Sequence, residues 1–163
     1  MTKREFKVVS AFKGKEVNIP ARGTALSAGY DIESAESIYI PSIFEQYAEK
    51  ETSGATRLKP TMIPTGLKVY LENDEYLKMV PRSSLFKNTG LILSNLVGVI
   101  DADYVDNPDN EGHIMIPVLN LGFEGITIEK GERLVQGIFT PYRITNNDEA
   151  TSDRTGGFGS TGK

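Results

Sequence analysis

Apolar residues along this chain come in short runs of Val, Ile, Leu and Tyr, alternating with polar positions and broken by Gly, Pro, Asn and Asp. That rhythm belongs to strands. It predicts strands at 5–9, 37–40, 62–70, 76–81, 90–93, 113–119, 125–128 and 133–142. Pro41, Pro60, Pro64, Pro81, Pro117 and Pro141 argue against long helices, because proline lacks an N–H and clashes with the preceding turn. Many short strands separated by turn signals predict an all-β, jelly-roll-like barrel over residues 1–144. No internal repeat is visible. Segment 42–59 (SIFEQYAEKETSGATRLK) interrupts the pattern. Its first half reads as one short helix with Ile43, Phe44 and Tyr47 on one side, and its second half as a loop. It is an insertion between strands, either a decorated surface loop or a contact surface for a partner. Residues 145–153 are polar and aperiodic and read as a linker to a Gly-rich end at 154–163.

Composition narrows the classes. The 163 residues fit one domain, with 39% hydrophobic and 25% charged residues, as in ordinary globular proteins. A net charge of −4 argues against a broad face for polymeric nucleic acid, but leaves room for a small phosphate ligand held by a few cations. With no cysteine there is neither a disulfide framework nor a thiolate metal site, which fits the cytoplasm. The start of the chain carries no apolar signal region, and no apolar run nears 18 residues, so neither export nor membrane insertion is expected.

Five stretches carry candidate chemistry. Gly29-Tyr30-Asp31 leads into a strand, and alone it reads as an ordinary turn. Arg82-Ser83-Ser84 follows a strand; these residues suit a phosphate chain, or Ser84 caps a short helix, and the two readings are compatible. The run from Asn95 to Tyr104 ends in Asp101-Ala102-Asp103-Tyr104, where a carboxylate leaving a strand is held well enough to orient a water and Tyr104 can stack on a sugar. The carboxylates at Asp106, Asp109 and Glu111 fail the EF-hand pattern, which needs Gly where Asp106 stands and Glu where Gly112 stands. Gly131 to Gln136 is a turn into a strand bearing Arg and Gln. The last stretch, Arg154 to Lys163, pairs a phosphate-gripping guanidinium with glycines, hydroxyls and the flat ring of Phe158; it is either a plain Gly/Ser tail or a flap over a nucleotide. Its G-x-G-x-x-G match is no dinucleotide fingerprint, since no helix can follow it. The single histidine, His113, begins an apolar strand and reads as structural or surface. No Ser/His/Asp triad stands out, and no metal site can be built from Cys or paired His.

In combination and order, AGYDI, PRSSL, NLVGVIDADY, GERLVQ and RTGGFGSTG resemble the five motifs of the homotrimeric dUTPase family, over residues 28–162. The resemblance implies a jelly-roll-like fold, a homotrimer with shared sites, Mg²⁺, and hydrolysis of dUTP to dUMP and pyrophosphate. Asp101 then activates the attacking water. Asn95 and Gly98 belong to the hairpin that reads uracil, and Tyr104 packs on the deoxyribose and disfavours a 2′-OH. Arg82, Ser83, Ser84 and Gln136 meet the phosphates, with Ser84 standing where many relatives have Gly. Asp31 sits near the metal waters. Arg154 clamps the γ-phosphate, Phe158 covers the base, and Gly159, Ser160 and Thr161 wrap the phosphates.

Two departures stand out: VDNPDN after Tyr104, which lengthens the hairpin beside the base pocket, and the long 42–59 segment. Lengthened members of this kind resemble those of phages and Gram-positive bacteria, which would place the protein in the cytoplasm, a host's if phage-encoded. The alternatives are a dCTP deaminase, a nucleotide-switched regulatory protein that contacts a partner through 42–59, and a non-catalytic jelly-roll structural protein.

Overall fold

The structure is a computed structural model that describes residues 4–152 and 154. Its strands are β1 (Glu5–Val8), β2 (Ala21–Arg22), β3 (Tyr30–Glu33), β4 (Ile38–Ile40), β5 (Thr61–Pro64), β6 (Leu67–Tyr70), β7 (Glu75–Pro81), β8 (Leu91–Leu93), β9 (Gly98–Asp101), β10 (Met115–Asn120), β11 (Ile126–Ile128) and β12 (Arg133–Pro141). Two helices join them, α1 (Ile43–Ser53) and α2 (Leu85–Thr89). The chain is all-β and jelly-roll-like, as expected. Among the described residues no helix is long and apolar enough to cross a membrane.

A five-stranded antiparallel sheet in the order β2-β3-β12-β7-β9 carries most of the candidate residues. A three-stranded sheet, β5-β10-β8, and the pairs β1-β6 and β11-β4 complete the barrel. Strict alternation makes β7 two-faced: Leu77 and Met79 are buried while Lys78 and Val80 face outward. Leu77, Met79 and Ile32 meet Ile63, Leu91 and Ile116 in one continuous core. Each such side chain is worth about 1.5–3 kcal/mol of burial.

Three expectations change. The run predicted at 62–70 is two strands in different sheets, because Gly66 takes φ +69 between them and the chain changes sheet there. The helix in the 42–59 segment is longer than expected. A capping box starts it, with Ser42 Oγ accepting from Glu45 N–H and the Glu45 carboxylate accepting from Ser42 N–H, and Gly54 in the left-handed region ends it. Gln46 ties the subsequent loop back by exchanging two hydrogen bonds with the Lys59 backbone. The third change concerns the hairpin expected to begin around Asn95–Gly98. β8 pairs with β10 and β9 with β7, so residues 94–97 are a turn between two sheets. Beyond β12 the described residues 143–152 form no strand or helix and are exposed.

Candidate active site

One cluster forms on the outer face of the five-stranded sheet. Ile32 turns into the core, so Asp31 faces out. Gln136 lies opposite Asp31 across one ladder, and Val80 opposite Gln136 across the next. Arg82, two residues beyond Val80, reaches the same face. Asp31 sits between two guanidinium groups: Oδ1 lies 3.2 Å from Arg82 Nε, and Oδ2 accepts from Arg133 Nη1 at 3.2 Å. Arg82 Nε is buried, yet its N–H is not aimed at Asp31, so the close approach is an ion pair without a hydrogen bond. A buried donor left unmade costs on the order of 1–3 kcal/mol, and an incoming anion oxygen recovers it. Position 29 must be glycine, because a Cβ there would lie 2.8 Å from Gln136 Cβ and 2.9 Å from its Oε1. Ser83 and Ser84 lead from Arg82 into α2. Ser84 occupies the N-cap position but its side chain makes no capping bond, because its backbone is already helical (φ −89, ψ −12). The capping role expected for it is therefore not realised.

A second cluster lies at the far end of β9. Asp101 stands beside Tyr76 of β7, and Gly98 beside Met79. The close crossing at Gly98 leaves no room for a side chain, since a Cβ would come 2.8 Å from Met79 Cε. A short 3₁₀ turn, Ala102–Tyr104, comes directly after Asp101. Both carboxylates next to it are half exposed, and Arg154 closes over them: Nη2 is 2.5 Å from Asp101 Oδ2 and Nε is 2.8 Å from Asp103 Oδ1. The guanidinium also lies 5.7 Å from the centre of the Tyr104 ring. Asn95, Gly98, Asp101, Tyr104 and Arg154 line one cavity of about 240 Å³, floored by Met79. In the turn beside it Leu96 takes φ +61, and Val97 N–H donates to the Asn95 carbonyl at 2.6 Å. That is a γ-turn in a sparsely populated backbone region, of the kind that collects at binding sites.

Asp101 and Arg82 stand at opposite ends of β7 within one chain. From Tyr76, beside Asp101, the chain runs to Arg82 along β7, about 20 Å at about 3.3 Å per residue. Asn95, Gly98, Asp101, Tyr104 and Arg154 are brought together; Asp31, Arg82 and Gln136 are brought together elsewhere, with Ser83 and Ser84 next to Arg82 in the chain. Phe158, Gly159, Ser160 and Thr161 lie outside the described residues.

The VDNPDN departure is an anchored loop. Lys68 is only 8% exposed, and its Nζ donates to Asp106 Oδ1 at 2.5 Å and Glu111 Oε1 at 2.6 Å. Tyr70 Oη donates to the other Asp106 oxygen at 2.7 Å, and Ser10 N–H to Glu111 Oε2 at 2.8 Å. Burial pulls the Lys68 ammonium down, but the bonds to Asp106 and Glu111 outweigh it and hold it above its ordinary value. Hydrogen bonds from Lys68 and then Ser10 hold the Glu111 carboxyl down at about 2, and the Lys68 bond also lowers Asp106. A carboxyl depressed in the folded state stabilises fully above its unfolded value, about 4.3, and that stabilisation drains as pH falls toward the folded value. The raised lysine contributes up to about pH 10.4 and is lost only above it. The thermal midpoint is therefore expected to fall as pH drops from about 4.3 toward 2, and Glu111→Gln is expected to flatten that slope; an unchanged slope in the variant would contradict the anchoring.

His113 is structural. Its Nε2 accepts from Gly66 N–H at 2.9 Å, its ring lies 5.3 Å from that of Phe12, and burial pushes its pKa down. Sequence reasoning passed over Arg133, although it stands three positions from Gln136 in GERLVQ. It also passed over Lys68, a lone cation inside the apolar run Leu67–Tyr70, and Asn107 and Asn110 of the VDNPDN insert.

Fold and site together define a jelly-roll-like protein with a cluster of arginines around Asp31 and a carboxylate beside a small cavity. The family model described as dUTPase matches residues 15–162. The deoxyuridine 5'-triphosphate nucleotidohydrolase of Lactococcus lactis is 47% identical, over 98% of this chain and 97% of its own length. A crystal structure of dUTPase from Streptococcus mutans is 34% identical with a TM-score of 0.73, covering 88% of this chain and 99% of that one. A mutant dUTPase from phage phi11 of S. aureus, described as revealing the coordination of a structural Mg(II) ion, shares the fold at 17% identity and a TM-score of 0.66, over 92% of this chain and 97% of its own. The chain belongs to the dUTPase family, and its activity is that of a dUTP diphosphatase, the hydrolysis of dUTP. That reading is favoured over a deaminase or a purely regulatory protein.

Proposed function

We propose that dUTP is split into dUMP and pyrophosphate at a site completed between copies of this chain, with the Asp101 cluster of one copy facing the Asp31–Arg82–Gln136 cluster of the next. The observation that carries this is that Asp101 stands beside Tyr76 at one end of β7 while Arg82 follows its other end, about 20 Å along the strand, more than a triphosphate bridges. A ring of three copies is the assembly that the family resemblance implies, and a head-to-tail contact of this kind closes into such a ring.

In this arrangement the backbone turn at Asn95 and Gly98 holds the base, and Tyr104 walls the sugar. Asp101 accepts a proton from a water whose oxygen attacks the α-phosphorus in line. The bond from that phosphorus to the bridging oxygen breaks, and pyrophosphate departs with the electron pair. A triphosphate carries about four negative charges, so the attack needs them spread. Arg82, with its buried unsatisfied Nε, and the Ser83 and Ser84 hydroxyls supply donors, and Gln136 supplies an amide. Arg154 leaves the two carboxylates for the γ-phosphate. The 154–163 segment, with Phe158, Gly159, Ser160 and Thr161, closes over the nucleotide, and 145–153 is its tether.

Oxygen ligands alone suit a hard cation such as Mg²⁺. Among the described residues no three Asp, Glu, His or Cys side chains converge, and both Asp31 oxygens face arginines. Asp31 would hold the metal through water. The chemistry Mg²⁺ would supply there is neutralisation of phosphate charge. Pyrophosphate release is expected to be fast with dUTP, slow with dTTP, dCTP and UTP, and dependent on Mg²⁺. Ammonia release from dCTP, or equal turnover of UTP, would contradict the assignment.

A further inference from the structure

We infer that Asn110, in the loop that departs from the family pattern, is a positioning residue that sets how strongly the enzyme rejects a ribonucleotide. This rests on the reading of Tyr104 as the wall against the sugar.

Tyr104 lines the cavity but is only 5% exposed, and its hydroxyl is turned away into the 105–112 loop. There it donates to the His113 carbonyl at 3.0 Å and accepts from Asn110 Nδ2 at 2.8 Å. The orientation of the Asn110 amide is not arbitrary. Its Oδ1 accepts from Gly112 N–H at 3.1 Å, and a backbone N–H can only donate. Asn107 Nδ2 donates to the same oxygen at 2.8 Å and to the Tyr104 carbonyl at 2.7 Å. Asn107 is itself fixed, because its Oδ1 accepts from Asp109 N–H at 3.0 Å and Asn110 N–H at 3.2 Å. Every amide end in the network is thus assigned by a donor that cannot reverse. Asn110 must point its NH₂ at the phenol, and the phenol must spend its one proton on His113.

The consequence is chemical. Burial pushes the Tyr104 phenol up, so it stays a neutral donor, but that proton is committed to a backbone carbonyl. Tyr104 presents a ring face to the sugar and no donor. A 2′-OH arriving there loses its water and gains no replacement bond from this side chain, which is the kind of mismatch that makes discrimination large. Lys68, through Asp106 and Glu111, anchors the loop that holds Asn110 in place.

The discriminating variant is Asn110→Asp. Its carboxylate still accepts from Gly112 and Asn107 but has no donor for the phenol, which then turns its proton from the His113 carbonyl to the new acid, so that the ring is no longer held in one position against the sugar. The preference for dUTP over UTP, as a ratio of kcat/KM, is expected to fall about tenfold, mainly through a lower KM for UTP with kcat for dUTP little changed. Asp109→Asn, a charge change of the opposite sign in the same loop, is expected to keep the ratio. Equal loss of kcat with both substrates alongside a lowered melting temperature, or an unchanged ratio, would overturn the inference. Tyr104→Ala separates the two levels. If it abolishes the preference while Asn110→Asp keeps it, only the role of Asn110 fails. If Tyr104→Ala keeps the preference, the reading of Tyr104 as sugar wall fails.

Discussion

Asp101→Asn is expected to lower turnover of dUTP by about 10²–10⁴-fold while leaving its binding within a few-fold of the parent, the usual worth of a positioned general base. Asparagine keeps the size and one acceptor oxygen but cannot take the proton of the attacking water. The walls that hold the nucleoside, Asn95, Gly98 and Tyr104, are unaltered. Asp101 is half exposed and belongs to no core cluster, so the melting temperature should hardly move. Asp103 is the internal control. It also pairs with Arg154, yet it does not line the 240 Å³ cavity. Asp103→Asn should therefore cost much less. Turnover and equilibrium binding of dUTP measured on both variants decide the matter; near-normal turnover in Asp101→Asn, or a larger loss in Asp103→Asn, would remove Asp101 from the role of base.

Arg82→Ala is expected to reduce kcat by about 10²–10³-fold, the range for removing one preorganised donor from developing charge. The loss should be electrostatic and not a collapse of the cluster, since Asp31 keeps Arg133 at 3.2 Å. Lysine at 82 should rescue poorly, because a point charge does not reproduce the planar fork whose Nε is left without a hydrogen bond beside Asp31. Full rescue by lysine would mean that charge alone matters there.

How far the sequence told all this depends on how local each signal was. The alternation of β7 was plain, because it carries its period in consecutive residues. The break at Gly66 was hidden inside a single apolar run: a positive φ ends the strand, and Leu67–Tyr70 then joins another sheet. The length of α1 was underestimated although its signals were present, Ser42 and Glu45 at capping-box spacing and Gly54 at the end. At the site, ordered motifs picked out Asp31, Arg82 and Gln136, which the fold gathers in one cluster, and Asp101 and Tyr104, which it gathers in another. Arg133 escaped because an irregularity in the β12 register after it precedes the regular pairing of Gln136 with Asp31, so simple alternation says little about where its side chain goes. The anchoring of the 105–112 loop was hidden because Lys68 is 38 positions from Asp106 in the chain. Contacts made across such separations leave no local pattern. The separation of the two clusters was also invisible, since it comes from strand register and not from motif order.

A site shared between copies is the central claim, and mixing tests it most directly. Asp101→Asn and Arg82→Ala, each nearly inactive alone, are unfolded together and refolded as mixed assemblies. If one copy supplies the carboxylate and another the arginine, some sites in the mixture receive both intact groups, and dUTP hydrolysis returns to a sizeable fraction of the parent rate. If the mixture stays as inactive as its components while subunit exchange is verified by mass, each site is built within a single chain and the claim is wrong.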